Sequence, residues 1–292
     1  MQSKFYNSMI MRKIVFIIFL FILVSCKSSL VSDKKMVCVS ILPQKYFVEK
    51  IAGELVDINV LLPPGANPRY FSIMPSQMKE ISRSSLWLRI GQIPFEKSWG
   101  EKIRQTNPKM KVYDTSAQAD WIITKKDTVN FTGVDPHIWM SPLEVKKIAN
   151  ESYKALIKTF PEDSVIFTDN YKKWILEIDI LNREIKNSFK NLLQRKFIIY
   201  HPSLTYFARN YNLEQIPLEI EGKEPSARQM GDIIDLAKKE NIHFVLLQRG
   251  FNMDNARQLA REINGKIIII DPFDEHWEKQ LRNISSIIIS NQ

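Results

Sequence analysis

Short apolar runs alternate along this chain with segments of helical spacing. Runs at 36–41, 56–62, 86–90, 112–113, 197–200, 243–247 and 266–270 read as strands, with an edge strand at 216–220. Between them, apolar residues three and four apart predict helices at 43–52, 75–82, 95–106, 141–160, 204–211, 226–239, 252–263 and 275–290. Most strand runs are apolar throughout, the pattern of parallel sheets covered on both faces. The longest periodic segment sets Tyr171, Trp174, Ile178, Leu181, Ile185, Phe189 and Leu192 on one stripe. It predicts a helix over 164–193, roughly 45 Å long at 1.5 Å per residue. A helix of that length between two strand–helix series reads as a spine. The expected fold is α/β: two parallel-sheet lobes joined by one long rigid helix.

The first 26 residues break the pattern. Arg12 and Lys13 precede an unbroken apolar run from 14 to 24, followed by Ser25-Cys26. A basic start and a short apolar run make a signal peptide, too short to span a bilayer as a helix. Ser25 before Cys26 resembles the lipobox of bacterial lipoproteins, in which Cys26 would carry the lipid. The predicted organisation is a signal peptide at 1–26, a Ser/Lys-rich tether at 27–35, an N-terminal lobe at 36–163, the linking helix at 164–194 and a C-terminal lobe at 195–292. The protein is thus expected to be exported and lipid-anchored at the cell envelope, on the periplasmic side of a membrane or at the cell surface.

Charge and cysteine content narrow the classes. The formal net charge is +9, but Lys4, Arg12 and Lys13 belong to the leader and the other basic residues are scattered. No dense basic block suggests nucleic acid, while mild positive charge suits a protein near an anionic membrane. Cys38 lies in the first strand run and is the only cysteine besides Cys26, so no internal disulfide is expected. H-E-x-x-H, G-x-S-x-G and phosphate-loop motifs are absent.

Candidate chemistry centres on Asp135-Pro136-His137-Ile138-Trp139. Ser141 and Pro142 read as the N-cap and first residue of the next helix, which would pin the loop carrying His137. A histidine held so serves as metal ligand or proton carrier, and simple packing beside Trp139 accounts for it equally well. Ligands of open parallel sheets bind beyond the carboxyl ends of the strands. That rule selects His201 after 197–200, Gln248 after 244–247 and Asp271 after 267–270. Two histidines and a carboxylate suit zinc or manganese. His243 reads as structural, and His276 as lying on the last helix.

Further motifs recur in a familiar order: Ser40-Ile-Leu-Pro-Gln44, Ile51-Ala-Gly53, Pro63-Pro-Gly-Ala-Asn-Pro68, Asp135-Pro-His-Ile-Trp139, Tyr200-His201, Tyr206-Phe207, Gly222-Lys-Glu-Pro225 and Asp271-Pro272. Together, over about 37–281, they resemble the zinc/manganese solute-binding proteins of bacterial ABC transporters, with the TroA-like fold. The resemblance implies two α/β lobes on a rigid helix, with a metal ion as cargo between them. It implies delivery to an ABC permease with its ATPase subunit, and a membrane-tethered monomer with no nucleic-acid partner. Carried over position by position, the ligands are His137, His201 and Asp271, with Zn2+ as the cargo and Mn2+ as the alternative.

The first ligand of the family does not carry over, because Arg69 stands where the pattern has histidine. A guanidinium stays protonated and offers no lone pair. Three arrangements are open. Arg69 pairs with Glu219 or Glu221 and leaves a three-ligand site completed by water; it pairs with Asp271 and closes the crevice without metal; or the site takes an anion. The first is favoured because the other ligand types remain. Two rivals stand beside metal capture. One is a zinc hydrolase on the same residues, with Glu219, Glu221 or Glu224 as general base. The other is a lipoprotein that binds no metal and acts by adhesion or on another solute.

Overall fold

The computed structural model describes residues 35–124, 133–219 and 222–291. The leader, Cys26 and Glu221 lie outside these residues.

The first sheet is built from β1 (Lys35–Val39), β2 (Val56–Val60), β3 (Leu86–Arg89) and β4 (Lys111–Asp114). Helices α1 (Leu42–Ala52), α2 (Pro75–Arg83) and α3 (Pro94–Thr106) make the crossovers. All pairings are parallel, in the order β2-β1-β3-β4, with Val37 beside Leu86 and Ile58 on its two flanks. Each of the three helices has proline in its first turn, where a missing N–H costs nothing. Lys35, assigned to the tether from sequence, is the first residue of β1. Cys38 is buried in that strand as a free thiol, 3.0 Å from the Ser84 hydroxyl, and burial pushes its pKa up.

After β4, residues 115–122 form no strand or helix. β5 (Ile123–Thr124) then pairs antiparallel with β6 (Gly133–Val134), a ladder too short to leave an alternating pattern. The chain then enters α4 (Pro142–Thr159) and α5 (Ser164–Ser188).

The second sheet holds β7 (Lys196–Ile199), β8 (Glu214–Pro217), β9 (Phe244–Gln248) and β10 (Lys266–Ile270), all parallel, in the order β8-β7-β9-β10. Helices α6 (Thr205–Tyr211), α7 (Ala227–Lys239), α8 (Asp254–Glu262) and α9 (Trp277–Ser290) accompany it. The strand order of the first sheet is repeated in the second, although no repeat is visible in the residues. The edge strand β8 begins two residues before the apolar run that predicted it, at Glu214.

The spine helix α5 has 25 residues, about 37 Å at 1.5 Å per residue, and stops before the predicted end at 193. At its end the Ser188 hydroxyl donates to the Ile185 carbonyl, and Phe189 turns inward against Phe207 and Tyr211. The stripe of Trp174, Ile178, Leu181 and Ile185 is buried as its spacing predicts. Near the middle of the molecule Phe47 of α1 meets both Trp174 of α5 and Trp277 of α9, each with ring centroids 5.4 Å apart. This junction fastens both sheets to the spine. Among the described residues, no helix is long and apolar enough to cross a membrane.

Candidate metal centre

In a sheet of this order, a crevice opens beyond the carboxyl ends of the two strands whose connections depart to opposite sides. In the second sheet those strands are β7 and β9. His201 lies two residues past β7, and Gln248 ends β9. Gln248 is buried and fastens the His201 backbone from both sides. Its Oε1 accepts the His201 N–H at 3.1 Å, and its amide donates to the His201 carbonyl and, at 2.8 Å, to the Ser203 hydroxyl. From sequence Gln248 was a group facing the crevice; here its amide works as a bracket behind the imidazole.

His137 arrives from the other direction, on the loop between β6 and α4. Buried Asp135 folds this loop on itself: its Oδ1 accepts the His137 backbone N–H at 2.9 Å and lies 2.7 Å from the ring Nδ1. Burial works to raise the Asp135 carboxyl, yet the charge and hydrogen bonds of His137 hold it below its ordinary value. Ser141 caps α4 as expected, accepting the Glu144 N–H at 3.2 Å.

The loop is also attached to the second sheet's side of the molecule. The Tyr206 hydroxyl of α6 donates to the Asp135 carbonyl at 2.9 Å and accepts the Ile122 N–H at 2.9 Å. The Trp139 indole donates to the Pro272 carbonyl at 2.8 Å, and the Trp277 indole donates to the Trp139 carbonyl at 2.6 Å. These anchors bring the His137 and His201 rings to a centroid distance of 5.2 Å, inclined by 70°. Phe251 stacks on the far face of His201 at 5.3 Å, and Trp139 lies 5.2 Å from His137.

Both imidazoles are held by a carboxylate through Nδ1. For His201 the partner is Glu219, whose Oε2 is 2.9 Å away. A carboxylate on Nδ1 calls for a proton there, which leaves the lone pair of the neutral ring on Nε2. Burial pushes the His201 pKa below the ordinary imidazole value of 6.5, more strongly than Glu219 raises it. The ring is therefore neutral, and able to ligate, near pH 7. Glu219 itself is held down: burial opposes ionisation, but His201 and then Arg69 outweigh it.

Arg69 donates from Nη1 to Glu219 Oε1 at 2.8 Å, so Glu219 bridges the guanidinium and the imidazole. The guanidinium lies against Gly222, where a Cβ would come within 2.1 Å of Nη1. Gly222 also has φ +77°, in the left-handed region that favours glycine. Of the three arrangements open from sequence, Arg69 adopts the pairing with Glu219. The pairing with Asp271 is not formed: Asp271 faces Arg249, with Oδ2 3.3 Å from Nε, while its Oδ1 accepts the Phe273 N–H at 3.0 Å.

His137, His201, Asp271, Gln248 and Arg69 all line one cleft of about 670 Å³. They are not drawn into a tight set. Among the described residues, no three His, Cys, Asp or Glu side chains stand close enough together to hold an ion. What is assembled is the pair of imidazoles, with Asp271 turned to Arg249. Trp139 packs beside His137 as the sequence allowed, whereas the support from Asp135 was not foreseen, although it sits in the same motif. Sequence reasoning also overlooked Arg249 and Phe251, whose positions after β9 offered the same signal that selected Gln248. His243 is structural as expected, its Nδ1 2.8 Å from the Ile263 carbonyl.

Two parallel sheets of like order on one spine helix, with a histidine pair between them, define a two-lobed solute-binding receptor. Residues 37–288 match the family model for the zinc-uptake complex component A, periplasmic (ZnuA), and the chain belongs to that family. A crystal structure of ZnuA superposes with a TM-score of 0.83 at 35% identity, covering 88% of this chain and 98% of the other. The periplasmic zinc-binding protein TroA from Treponema pallidum shares the fold, with a TM-score of 0.77 at 18% identity over 88% of this chain and 99% of its own. A relative from Chlamydia trachomatis is 27% identical over 246 residues, 84% of this chain and 87% of the relative. The zinc-binding lipoprotein AdcA of Streptococcus pneumoniae is 20% identical over 89% of this chain, which spans 54% of AdcA. The family is one of uptake components and not of enzymes. The geometry of Glu219, one of the three general bases considered for a hydrolase, argues the same way, since it is already held by both Arg69 and His201.

Proposed function

We propose that this protein captures Zn2+, with Mn2+ as the alternative, in the cleft between its two lobes and passes the ion to an ABC permease driven by its ATPase subunit. The observation that carries this reading is the pair of facing imidazoles, each fixed through Nδ1 by a carboxylate. That is how metal-binding histidines are oriented and made more basic. In this reading His137 and His201 bind through Nε2, and Asp271 joins them once it leaves Arg249. Water completes the coordination. Two imidazoles and one carboxylate favour zinc over manganese.

Cys26 carries the lipid anchor in this reading, the protein works as a monomer, and residues 27–34 tether it at the envelope surface. The lipoprotein AdcA and the signal-like leader support the anchor. A signal peptide at 1–26 and the division into N-terminal lobe, linking helix and C-terminal lobe belong to the same proposal, with Lys35 in the first strand and the helix ending at Ser188.

Calorimetric titration of Zn2+ into a protein starting at Lys35 tests the reading. The expected result is one site of micromolar or tighter affinity, with His137→Ala losing about a hundredfold or more, the scale of a lost ligand or its supporting partner. Binding that is absent, or unaltered in the variant, overturns it.

Acid supplies a further expectation. Protons compete with the metal for imidazole. Because burial depresses the His201 pKa, that ring begins to bind protons only below the ordinary value of 6.5. Proton competition at His201 should therefore weaken zinc binding little between pH 8 and 6.5. Below the depressed pKa it should weaken by about tenfold per pH unit for each competing proton. Metal titrations at a series of pH values check the position of the break, and His201→Ala should remove its contribution.

A further inference from the structure

The cleft differs from a cage for a bare ion in three respects. Its volume, about 670 Å³, lies in the range of pockets that hold small organic ligands, whereas one water occupies about 30 Å³. Its neutral nitrogen ligands number two, His137 and His201, while zinc in protein sites is almost always four-coordinate. And it is lined by two arginines: Arg69 after the Gly65 turn and Arg249 after β9. The two arginine loops abut, since a Cβ on Gly250 would lie 3.4 Å from the Gly65 carbonyl oxygen.

Neither arginine is used up by its partner. Glu219 engages Arg69 through Nη1, and Asp271 faces Arg249 at the Nε edge. The remaining guanidinium donors of each are of the kind that takes a carboxylate in paired hydrogen bonds. Arg249 is 67% exposed at its side chain, so meeting a second carboxylate demands little desolvation. Charge points the same way. Glu219 pairs with Arg69, Asp271 with Arg249 and Asp135 with His137, and Lys97 also lines the cleft, so the carboxylates and cations in and around it are near balance before any ion enters. A bare dication would leave two charges uncompensated beside the arginines. Its complex with a dianion would not. Phe251, Ile93 and Leu62 supply an apolar wall for the carbon skeleton of such a ligand.

We propose that the cleft takes its divalent ion together with a small organic dianion of the hydroxy- or amino-dicarboxylate class. The dianion supplies the missing metal ligands and lays its carboxylates on Arg69 and Arg249. This inference rests on the metal-capture function proposed above and names the form of its cargo. His137 and His201 hold the metal through Nε2; the arginines select the chelator.

The experiment is a zinc titration of the same soluble protein, alone and with L-malate as the probe, at matched free zinc. A separate titration uses malate without metal, and native mass spectrometry reads the composition. The expected result is an affinity for zinc at least about tenfold tighter with malate, within the usual range of coupling between two ligands. A protein–zinc–malate species of one each should appear. Arg69→Gln and Arg249→Gln should each reduce the ratio of affinities with and without malate towards one.

Normal binding of zinc alone, with malate acting only as a competitor for it, overturns the inference and leaves metal capture standing. Malate binding equally well with and without zinc overturns it too, since that is an anion site independent of the metal. A ratio unchanged in both arginine variants likewise overturns it. If neither zinc nor zinc with malate binds, metal capture itself falls and takes this inference with it.

Discussion

An Arg69→His variant is expected to bind zinc alone about thirtyfold or more tightly than the native protein. A dication about 8 Å from a guanidinium, at an effective dielectric of about 40, is repelled by about 2 kcal/mol, which is about thirtyfold in affinity. Histidine removes that repulsion and adds a nitrogen ligand on the same loop. The loop can present it, because Asn67 Oδ1 accepts the backbone N–H of residue 69 at 2.9 Å and this bond does not depend on the side chain. One cost runs the other way: Glu219 loses its guanidinium partner and is held by His201 alone. Calorimetric zinc titration of the two proteins decides the matter, and equal or weaker binding by the variant would show that Arg69 does not oppose the ion. The ratio of affinities with and without malate should fall in the same variant, because the carboxylate grip is gone.

Trp139→Ala should reduce stability by about 3–5 kcal/mol, the usual cost of emptying a buried aromatic site. Trp139 is 1% exposed and packs between His137 and Phe273, with ring centroids 5.2 and 5.4 Å away. Its truncation opens a cavity and leaves the Pro272 carbonyl without its indole donor. Trp139→Phe keeps most of the ring and loses the hydrogen bond, so about 1 kcal/mol is expected there. Urea unfolding midpoints read both. A Trp139→Ala midpoint close to the native one would mean that the loop is held by Asp135 and Tyr206 without the indole. Zinc affinity should fall in parallel with stability in the alanine variant, since the ring supports one face of His137.

How much of this was visible in the residues depends on the range of the interaction. Strands and helices follow from local pattern, and nearly all lie within two residues of the predicted bounds. The stripe on α5 is a periodicity, so its buried face was legible; its end was not. The helix stops because Ser188 bonds backward and Phe189 finds a pocket made by Phe207 and Tyr211, about twenty residues downstream. The pairing of β5 with β6 escaped for the opposite reason, being too short to carry alternation.

At the site, the rule that parallel strands deliver ligands from their carboxyl ends picked out His201, Gln248 and Asp271, and all three line the cleft with His137. Which of them touch was not legible. Asp271 faces Arg249 because that arginine leaves the neighbouring strand at the same level. Glu219 reaches both His201 and Arg69, and nothing in the spacing of 69, 201 and 219 announces that one carboxylate would serve two partners.

The anchoring of the His137 loop bears on the speed of exchange. Tyr206, Pro272 and Trp277 tie this loop to the second sheet, while the helix that follows it, α4, packs on β3 and β4 of the first. The loop is thus fastened to both sheets, and the imidazole pair is formed before any ligand arrives. An ion that binds the pair would meet it already in place, and association would carry little cost of rearrangement.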